Sequence, residues 1–492
     1  MELKEISMKM NDVVLGHGAP SEAPRKLSGN MGPVGLALTV LAFSAPLTVL
    51  SGYIPISVMF GGIGTPLAFA IATVMLLLFS VGYVTLNNVV KRPGDFYAFI
   101  SYGIGKSTGL GSGILAALSY FLLLAGVTSF FGVACSDLQR EITGSAFPWY
   151  MYTLLDWAAV GVLGYLHVEL SAKVLTTAMV VEVAICLLFS FGVTLKGGVH
   201  QVDAMTPFVP HELTRNNAAF ATLFAVSFFL GFEATALFRD EVRMPDRTIP
   251  VATYGSVIFI GILYTFGSYA MVLAYGTSAQ EVATKAPATM FIDAFSRFVN
   301  GRVHLVVSVL VLSSAFASAL STQNVLSRYL HNLGTDGALP RYLSKVHGKH
   351  ALPYLASVTV SLLVLCVLVP FIVMGAKPDL LYGQLTGLAA AGVMLLMTIV
   401  NVSALLWFFR AGRELGVSFL KACLAPAISS VFFIGLLYLV ARHFELLAGG
   451  EPGQYVWMLY CLLAVQAGGM LLAQYFRFAK PAVFQRLGRS HH

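Results

Sequence analysis

The chain consists mainly of long apolar segments, and its polar residues are gathered into short stretches between them. Lys, Arg, Asp and Glu are absent from residues 27–90, 107–136, 248–280, 303–327, 351–376, 380–409, 422–441 and 452–476. A helix needs roughly 20 apolar residues to cross the hydrocarbon core of a bilayer. The pattern therefore predicts a series of membrane-spanning helices.

The apolar segments predict twelve spans. Residues 27–90 are long enough for two spans, with a glycine-rich turn at residues 61–66 between them. Shorter apolar windows at residues 148–168, 172–195 and 218–238 add further spans. A transmembrane β-barrel would show alternating segments of about ten residues, whereas these stretches are unbroken. We therefore predict an all-α membrane protein.

The composition favours a membrane protein over a soluble one. Only 11% of the 492 residues are charged and 57% are hydrophobic, whereas a soluble domain carries about 25% charged residues. The 5 Cys are scattered along the chain, and we interpret them as small buried side chains. Their spacing matches no metal site, and no metal or organic cofactor is predicted.

The distribution of basic residues predicts the orientation. If the N-terminus is placed inside and the chain crosses twelve times, most of the 30 Lys and Arg fall in inside loops. Cytoplasmic loops carry such an excess, so we predict a multi-pass protein of the cell (inner) membrane with both termini cytoplasmic. Nucleic acid is not a predicted partner, because the basic residues lie in separate loops. The predicted partners are the lipid bilayer and a small-molecule substrate, for a monomer or homodimer.

Two prolines, Pro46 and Pro55, interrupt the first apolar segment. Proline inside a helix costs about 3 kcal/mol, and transporters often bind substrate where paired helices unwind. We predict a discontinuous helix whose free amides bind a substrate carboxylate; a proline kink packed against its neighbours is the alternative. The predicted substrate-binding residues of this segment are Ser44, Ala45, Pro46, Leu47, Thr48, Ser51 and Gly52.

The sixth predicted span contains Gly231 and, close after it, the carboxylate of Glu233. Glycine weakens a helix and lets a ligand approach the backbone, so we predict a second break whose carbonyl groups face a substrate amine. We interpret Glu233 as a gating or structural contact that fixes this break. The predicted substrate-binding residues here are Ser227, Phe228, Phe229, Leu230 and Gly231.

A specific motif surrounds this second break. Residues 228–234 read Phe-Phe-Leu-Gly-Phe-Glu-Ala and are followed by Asp240, Glu241, Pro245 and the Thr-Ile-Pro of residues 248–250. This motif resembles the sixth-helix signature of the amino acid–polyamine–organocation (APC) family. Residues 90–99 and 326–340 are similar to family elements after the second and eighth helices. The resemblance extends from about residue 30 to about residue 475.

The resemblance implies a LeuT-type fold, in which two inverted five-helix repeats (5+5) and two peripheral helices give 12 transmembrane helices. The spacing of five spans between the two predicted breaks agrees with such a repeat. The predicted divisions are a cytoplasmic N-terminal tail (1–33), the first repeat (34–200), the second repeat (201–415), the last two helices (416–478) and a cytoplasmic C-terminal tail (479–492). The second repeat includes an extracytoplasmic loop between the seventh and eighth transmembrane helices of the chain.

Two acids lie in or near predicted spans away from the breaks. By its position in the fifth span, Glu182 aligns with a Lys whose ammonium replaces a bound sodium ion in several APC members. A charged carboxylate is costly at this depth, so we predict that Glu182 carries the coupling ion, a proton with sodium as the alternative. A neutral Glu182 that is hydrogen-bonded within the bundle is the other interpretation. We interpret Asp156 as an interfacial residue.

The eighth and third spans supply the remaining candidates. Ser314 and Ser318 are predicted to offer hydroxyl groups near Glu182. The resemblance places Tyr120 of the third span at the pocket; helix packing is the alternative for that span.

The resemblance implies a secondary active transporter that moves an amino acid or small amine, and the buried acid Glu182 adds the expectation of proton coupling. An amino acid or amine exchanger is the alternative, followed by a membrane sensor that transports nothing. An enzyme is not predicted, because the chain contains no zinc-protease, nucleotide-binding or nucleophile-elbow motif. No charged side chain is expected beside the predicted pocket, which favours small or neutral substrates.

Overall fold

A computed structural model describes residues 29–166, 168–300, 304–347, 352–376, 378–448, 451 and 453–488. The described residues form helices and no strand. An isolated β-bridge joins Met31 and Val242.

The first half of the chain begins with an interrupted helix and continues with long apolar ones. Its α-helices are α1 (Pro33–Ser44), α2 (Pro46–Thr48), α3 (Ile54–Gly61), α4 (Thr65–Val90), α5 (Asp95–Gly103), α6 (Lys106–Thr143), α7 (Trp149–Leu166) and α8 (Val168–Leu195). The π-helix Val49–Tyr53 joins α2 to α3, and the 3-10 turn Gly62–Gly64 joins α3 to α4.

The second half of the chain also contains an interrupted helix among continuous ones. Its α-helices are α9 (Pro210–Thr214), α10 (Ala218–Ser227), α11 (Pro245–Tyr275), α12 (Ala279–Lys285), α13 (Pro287–Phe295), α14 (His304–Asp336), α15 (Tyr354–Val373), α16 (Pro378–Trp407), α17 (Ala425–Arg442), α18 (Glu445–Ala448), α19 (Trp457–Ala479) and α20 (Pro481–Arg486). A 3-10 helix, Phe232–Glu241, follows α10 after a short turn.

Within the described part of the chain, 9 helical stretches are long and apolar enough to cross a membrane. One of them, Pro33–Val90, is 58 residues long and contains α1 to α4. The protein is therefore a multi-pass membrane protein. Twelve spans and the repeat boundaries stay predictions.

The longest helix, α6, has 38 residues and packs against α7, α14, α16 and α19. Small residues permit this contact. A Cβ atom added to Gly469 in α19 would lie 2.6 Å from the Cα atom of Gly111 in α6. Close backbone approach of this kind is typical of helices packed in membranes.

One end of the helix bundle, here called the terminal face, carries residue 31 and α20. The amide of Met31 donates to the carbonyl of Glu241 at 3.1 Å. The carboxylate of Glu241 accepts two hydrogen bonds from Arg328, at 2.6 and 2.7 Å, and both side chains are buried. The guanidinium of Arg328 also lies 4.4 Å from the centre of the Phe238 ring. The 3-10 helix is thereby fixed to α14.

Arg328→Met should lower the free energy of unfolding by about 3–5 kcal/mol, because it leaves the Glu241 carboxylate buried and without its countercharge. Thermal unfolding in detergent measures the change. Arg140→Met is the matched control, since Arg140 and Asp137 form a pair whose side chains are each 63% exposed, and exposed pairs contribute little. Equal melting temperatures for the two variants would contradict the assignment.

Candidate functional site

The first helix break is centred on Ala45, between α1 and α2. Ala45 has a φ of 47° and a ψ of 65°, in the left-handed region that a residue with a Cβ atom seldom adopts. The next residue, Pro46, has no amide hydrogen to continue the helix. The break therefore frees carbonyl groups at the end of α1 and amide groups at the start of α2.

Side chains from two other helices hold the freed carbonyl groups. The hydroxyl of Ser318, in α14, donates to the carbonyl of Phe43 at 2.9 Å. The hydroxyl of Tyr264, in α11, donates to the carbonyl of Ser44 at 3.2 Å and lies 2.6 Å from the Ser44 hydroxyl. In a bilayer such groups would otherwise remain unpaired, at a cost of several kcal/mol.

The freed amides face a buried acid and a serine. The amide of Leu47 donates to Oε2 of Glu182 at 3.5 Å, and the amide of Thr48 donates to Oγ of Ser314 at 3.3 Å. The Ser314 hydroxyl donates to the same Glu182 oxygen at 2.6 Å. Glu182 is 1% exposed, and among the described residues its Oε1 atom has no hydrogen-bond partner. The start of α2 is therefore capped by an acid from α8.

The second break follows α10 at Ser227. Three turn residues, 228–230, lead to Gly231, whose φ of 113° suits glycine alone. The carboxylate of Glu233 accepts a hydrogen bond from the Gly231 amide at 2.9 Å and another from the Tyr120 hydroxyl at 2.7 Å. A Cβ atom on Gly231 would lie 2.1 Å from the Phe43 ring. The two breaks are therefore in direct contact.

A cavity of about 140 Å³ lies between the two breaks. Its walls come from α1, α2, α3, α6, α10, α14, α16 and the residues of both breaks. They are Phe43, Ser44, Ala45, Thr48, Val49, Tyr53, Ile56, Leu123, Val127, Phe130, Phe224, Ser227, Phe228, Leu230, Ala315, Ser318, Tyr382, Gly383, Thr386, Gly387 and Ala390. None of these lining residues carries a charge. Their polar atoms come from hydroxyl and backbone groups.

Aromatic rings cover the side of the cavity that lies beyond the first break. The Tyr53 ring lies 4.8 Å from that of Phe228 and 5.7 Å from that of Tyr382. The Tyr382 ring lies 5.0 Å from that of Phe130. Among the described residues the buried Tyr382 hydroxyl has no hydrogen-bond partner. It is a polar group available to a ligand.

A buried polar cluster separates the cavity from the terminal face. This tyrosine network consists of Tyr83, Asp95, Tyr120, Glu233 and Tyr329. The hydroxyls of Tyr83 and Tyr329 each donate to Asp95 at 2.7 Å, and the Tyr83 hydroxyl also contacts the Glu233 carbonyl. Burial raises the pKa of Asp95 well above its usual range, while the two tyrosine hydrogen bonds act in the opposite direction. The network joins α4, α5, α14 and the second break.

The structure brings some of the predicted substrate-binding residues to the cavity and leaves others outside its lining. Those in the lining are Ser44, Ala45, Thr48, Ser227, Phe228 and Leu230, and those outside it are Pro46, Leu47, Ser51, Gly52, Tyr120, Phe229 and Gly231. The division has a helical cause, since successive residues around each break point in different directions. Of the predicted coupling residues, Glu182 and Ser314 are hydrogen-bonded to each other, whereas Ser318 lines the cavity and bonds Phe43.

Asp156 is not an interfacial residue. It lies in the interior of α7 and is 1% exposed. Its burial comes from neighbouring helices, which the apolar pattern of a single segment does not reveal.

Several lining residues were missed by the sequence analysis. Leu123, Val127 and Phe130 follow Tyr120 at helical spacing in α6, so a search for one face of that helix could have found them. Tyr53 and Tyr382 carry no comparable signal, because their meeting depends on how α16 packs against the first break.

Comparison with known proteins agrees with this architecture. The family described as "Amino acid permease" matches residues 35–465. The chain belongs to this family. It is similar to the branched-chain amino acid permease BcaP of Lactococcus lactis subsp. cremoris (strain MG1363), with 23% identity over 425 residues, 82% of this chain and 86% of the relative. It is also 23% identical to BcaP of Bacillus subtilis (strain 168) over 312 residues, 60% of this chain and 65% of that protein.

Gly231→Ala should lower the free energy of unfolding of this permease-family chain by about 1–3 kcal/mol, because a Cβ atom would overlap the Phe43 ring. The measurement is the thermal unfolding midpoint in detergent. Gly255→Ala, in α11, is the control, since a Cβ atom there meets no atom within 4 Å. A Gly231→Ala protein as stable as the Gly255→Ala protein would show that the two breaks do not touch.

Proposed function

We propose that the protein is a secondary active transporter of a small neutral amino acid, coupled to protons through Glu182. The observation that carries this proposal is an uncharged cavity between two interrupted helices. Broken helices at the centre of a membrane expose peptide groups that bind small zwitterions. The proposal includes a LeuT-type 5+5 repeat with twelve spans and the divisions 1–33, 34–200, 201–415, 416–478 and 479–492.

The cavity favours an apolar substrate side chain. Apolar walls come from Val49, Ile56, Leu123 and Val127. No lining residue carries a charge that could pair with a charged substrate side chain. Burying an unpaired charge is costly, which disfavours lysine or glutamate as substrates. A volume of about 140 Å³ is close to the roughly 150 Å³ that holds benzene in an engineered cavity. The two relatives named for branched-chain amino acids support the same substrate class.

The terminal face is the cytoplasmic side in this proposal. Arg92, Lys106 and Arg328 lie on this side of the molecule, and basic residues are concentrated on the cytoplasmic side of membrane proteins. The tyrosine network then closes the cavity to the cytoplasm. The protein is placed in the cell (inner) membrane. Transport requires that the network separates while the aromatic rings on the other side stay together.

Coupling follows from competition for the first break. A substrate carboxylate is drawn to the start of α2, where the amides have no partner within the helix. In the structure Glu182 and Ser314 already occupy the amides of Leu47 and Thr48. Protonation of Glu182 removes its negative charge and weakens its hydrogen bonds with the Leu47 amide and the Ser314 hydroxyl, so a proton and a substrate favour each other's binding. Such coupling is reciprocal, and it gives symport.

Valine, isoleucine and leucine should raise the melting temperature of the purified protein, whereas lysine, glutamate and putrescine should not. A ligand at about 100 times its Kd stabilises the native state by about 2.7 kcal/mol. Ser227→Trp should abolish the shift, because the indole fills the cavity that Ser227 lines.

Ser227→Ala is the control for that variant. It removes only a hydroxyl that donates to the Leu223 carbonyl at 2.9 Å, so it should keep the shift. If putrescine alone raises the melting temperature, the substrate is an amine and not an amino acid. No shift in the native protein and no uptake of these amino acids into proteoliposomes would overturn the proposed function.

Glu182→Gln should abolish accumulation driven by a pH gradient in proteoliposomes while downhill uptake persists, because the variant side chain stays neutral at every pH. Substrate binding by the native protein should weaken as pH rises and Glu182 loses its proton, and binding by the variant should not change with pH. Radiolabelled uptake and thermal shift measured over a pH series check both results.

Glu281→Gln is the control for the coupling test. Glu281 is an acid whose side chain is 64% exposed and pairs with Lys285, so its loss should leave pH-driven accumulation intact. If Glu182→Gln still accumulates substrate against a gradient in response to pH, the proton is carried elsewhere. If a sodium gradient alone drives accumulation in the native protein, sodium is the coupling ion.

A further inference from the structure

The short helix α20 folds back onto the terminal face. The Lys106 ammonium, at the start of α6, donates to the carbonyls of Phe484 at 3.2 Å and Gln485 at 2.7 Å. The same ammonium lies 5.6 Å from the centre of the Phe484 ring. A lysine directed at the last carbonyls of a helix also complements its dipole. These contacts attach α20 to α6.

Gly488, two positions after the end of this helix, is held by three further groups. Its amide lies 2.7 Å from the Tyr97 hydroxyl and 2.9 Å from Oδ2 of Asp336. Its carbonyl accepts a hydrogen bond from Arg92 at 3.3 Å. The φ of Gly488 is 69°, and an added Cβ atom would lie 2.6 Å from Cβ of Ser101. The site therefore accommodates glycine and little else.

Leu487 anchors the same segment by burial. It is 1% exposed and belongs to a small apolar cluster of its own. The other buried members are Tyr97, Leu110, Leu333, Ala338, Ala473 and Phe476. These residues come from α5, α6, α14, α19 and the turn after α14, so Leu487 joins several elements of the terminal face.

The elements that hold this segment also hold the tyrosine network. Helix α5 carries Tyr97, which contacts Gly488, and Asp95, which accepts hydrogen bonds from the network tyrosines. Helix α14 carries Asp336 at its end and Tyr329 about two turns earlier. The Tyr97 hydroxyl donates to Asp336 at 2.7 Å. Residues 481–488 thus bind both helices whose relative position sets the network.

We propose that residues 481–488 form a latch that stabilises the arrangement closed at the terminal face, and that its release shifts the protein towards the arrangement open there. A contact shifts such an equilibrium only if it differs between the two states. The latch meets this condition because separation of α5 from α14 would pull Tyr97 away from Asp336 and remove the site for Gly488. The proposal does not depend on which substrate the cavity binds.

Ser321 provides a reporter for opening. It is 2% exposed and lines a narrow space with Thr39, Phe43, Gly231 and Phe238, between the cavity and the terminal face. A cysteine at this position, in a chain whose 5 native Cys are replaced by serine or alanine, reacts with a maleimide only when this side opens. The reagent is a membrane-impermeant maleimide applied from the side of the terminal face in oriented vesicles.

Removal of the latch should raise the labelling rate of the Ser321→Cys protein by about tenfold, the population shift that corresponds to about 1.4 kcal/mol. Two latch variants test this: a chain that ends at Lys480, and Gly488→Val, whose side chain would overlap Ser101. Gln485→Ala is the matched control, since its side chain is exposed on α20 and its change should leave the rate as it was.

Lys106→Met is the substitute test if size-exclusion chromatography shows that either latch variant does not fold. It keeps the aliphatic stem of the side chain and removes the donor to the two carbonyls of α20, and it should also speed labelling. Unchanged labelling in every folded latch variant would overturn the latch. Because the readout is thiol accessibility, failure of the latch and failure of the proposed transport are seen separately.

Discussion

Peptide groups that leave a helix inside a bilayer must find partners in the protein, and this requirement shapes the centre of the molecule. Lipid offers no hydrogen bonds, and each unpaired group costs several kcal/mol. At the first break, Ser318 and Tyr264 take the carbonyls and Ser314 and Glu182 take the amides. The interruption persists because three other helices supply side chains to satisfy it. The cavity lies on the other side of this turn, between the two breaks.

The partners of the break also connect it to the rest of the molecule. Glu182 belongs to α8, Tyr264 to α11 and Ser314 to α14, so a change at the break alters contacts with all three helices. The second break is tied in a similar way, because Glu233 binds both the Gly231 amide and Tyr120 of α6. A ligand that displaces one partner therefore changes the balance between whole elements, which is the requirement for alternating access.

Much of the architecture could be predicted from the sequence, because its causes are local. Uncharged runs indicate spans. Pro46 and Gly231 mark the interruptions, because proline has no amide hydrogen to continue a helix and glycine weakens one. The side-chain directions around a break were not predictable, since Ala45 in the left-handed region turns Thr48 towards the cavity and leaves Leu47 outside it. Tyr382 and the Arg328–Glu241 pair depend on tertiary packing, and the single sequence holds no signal for either. Asp156 shows the same limit, because its burial depends on neighbouring helices.

The absence of charge from the cavity lining has an electrical consequence. A zwitterion has no net charge, so its passage through such a cavity does no work against the membrane voltage. In the proposed symport cycle, which also carries one proton, that proton is the whole of the translocated charge. The voltage then contributes about 2.3 kcal/mol per 100 mV to each cycle. A cell that keeps its interior negative could thus power uptake even when the acidity on the two sides is equal.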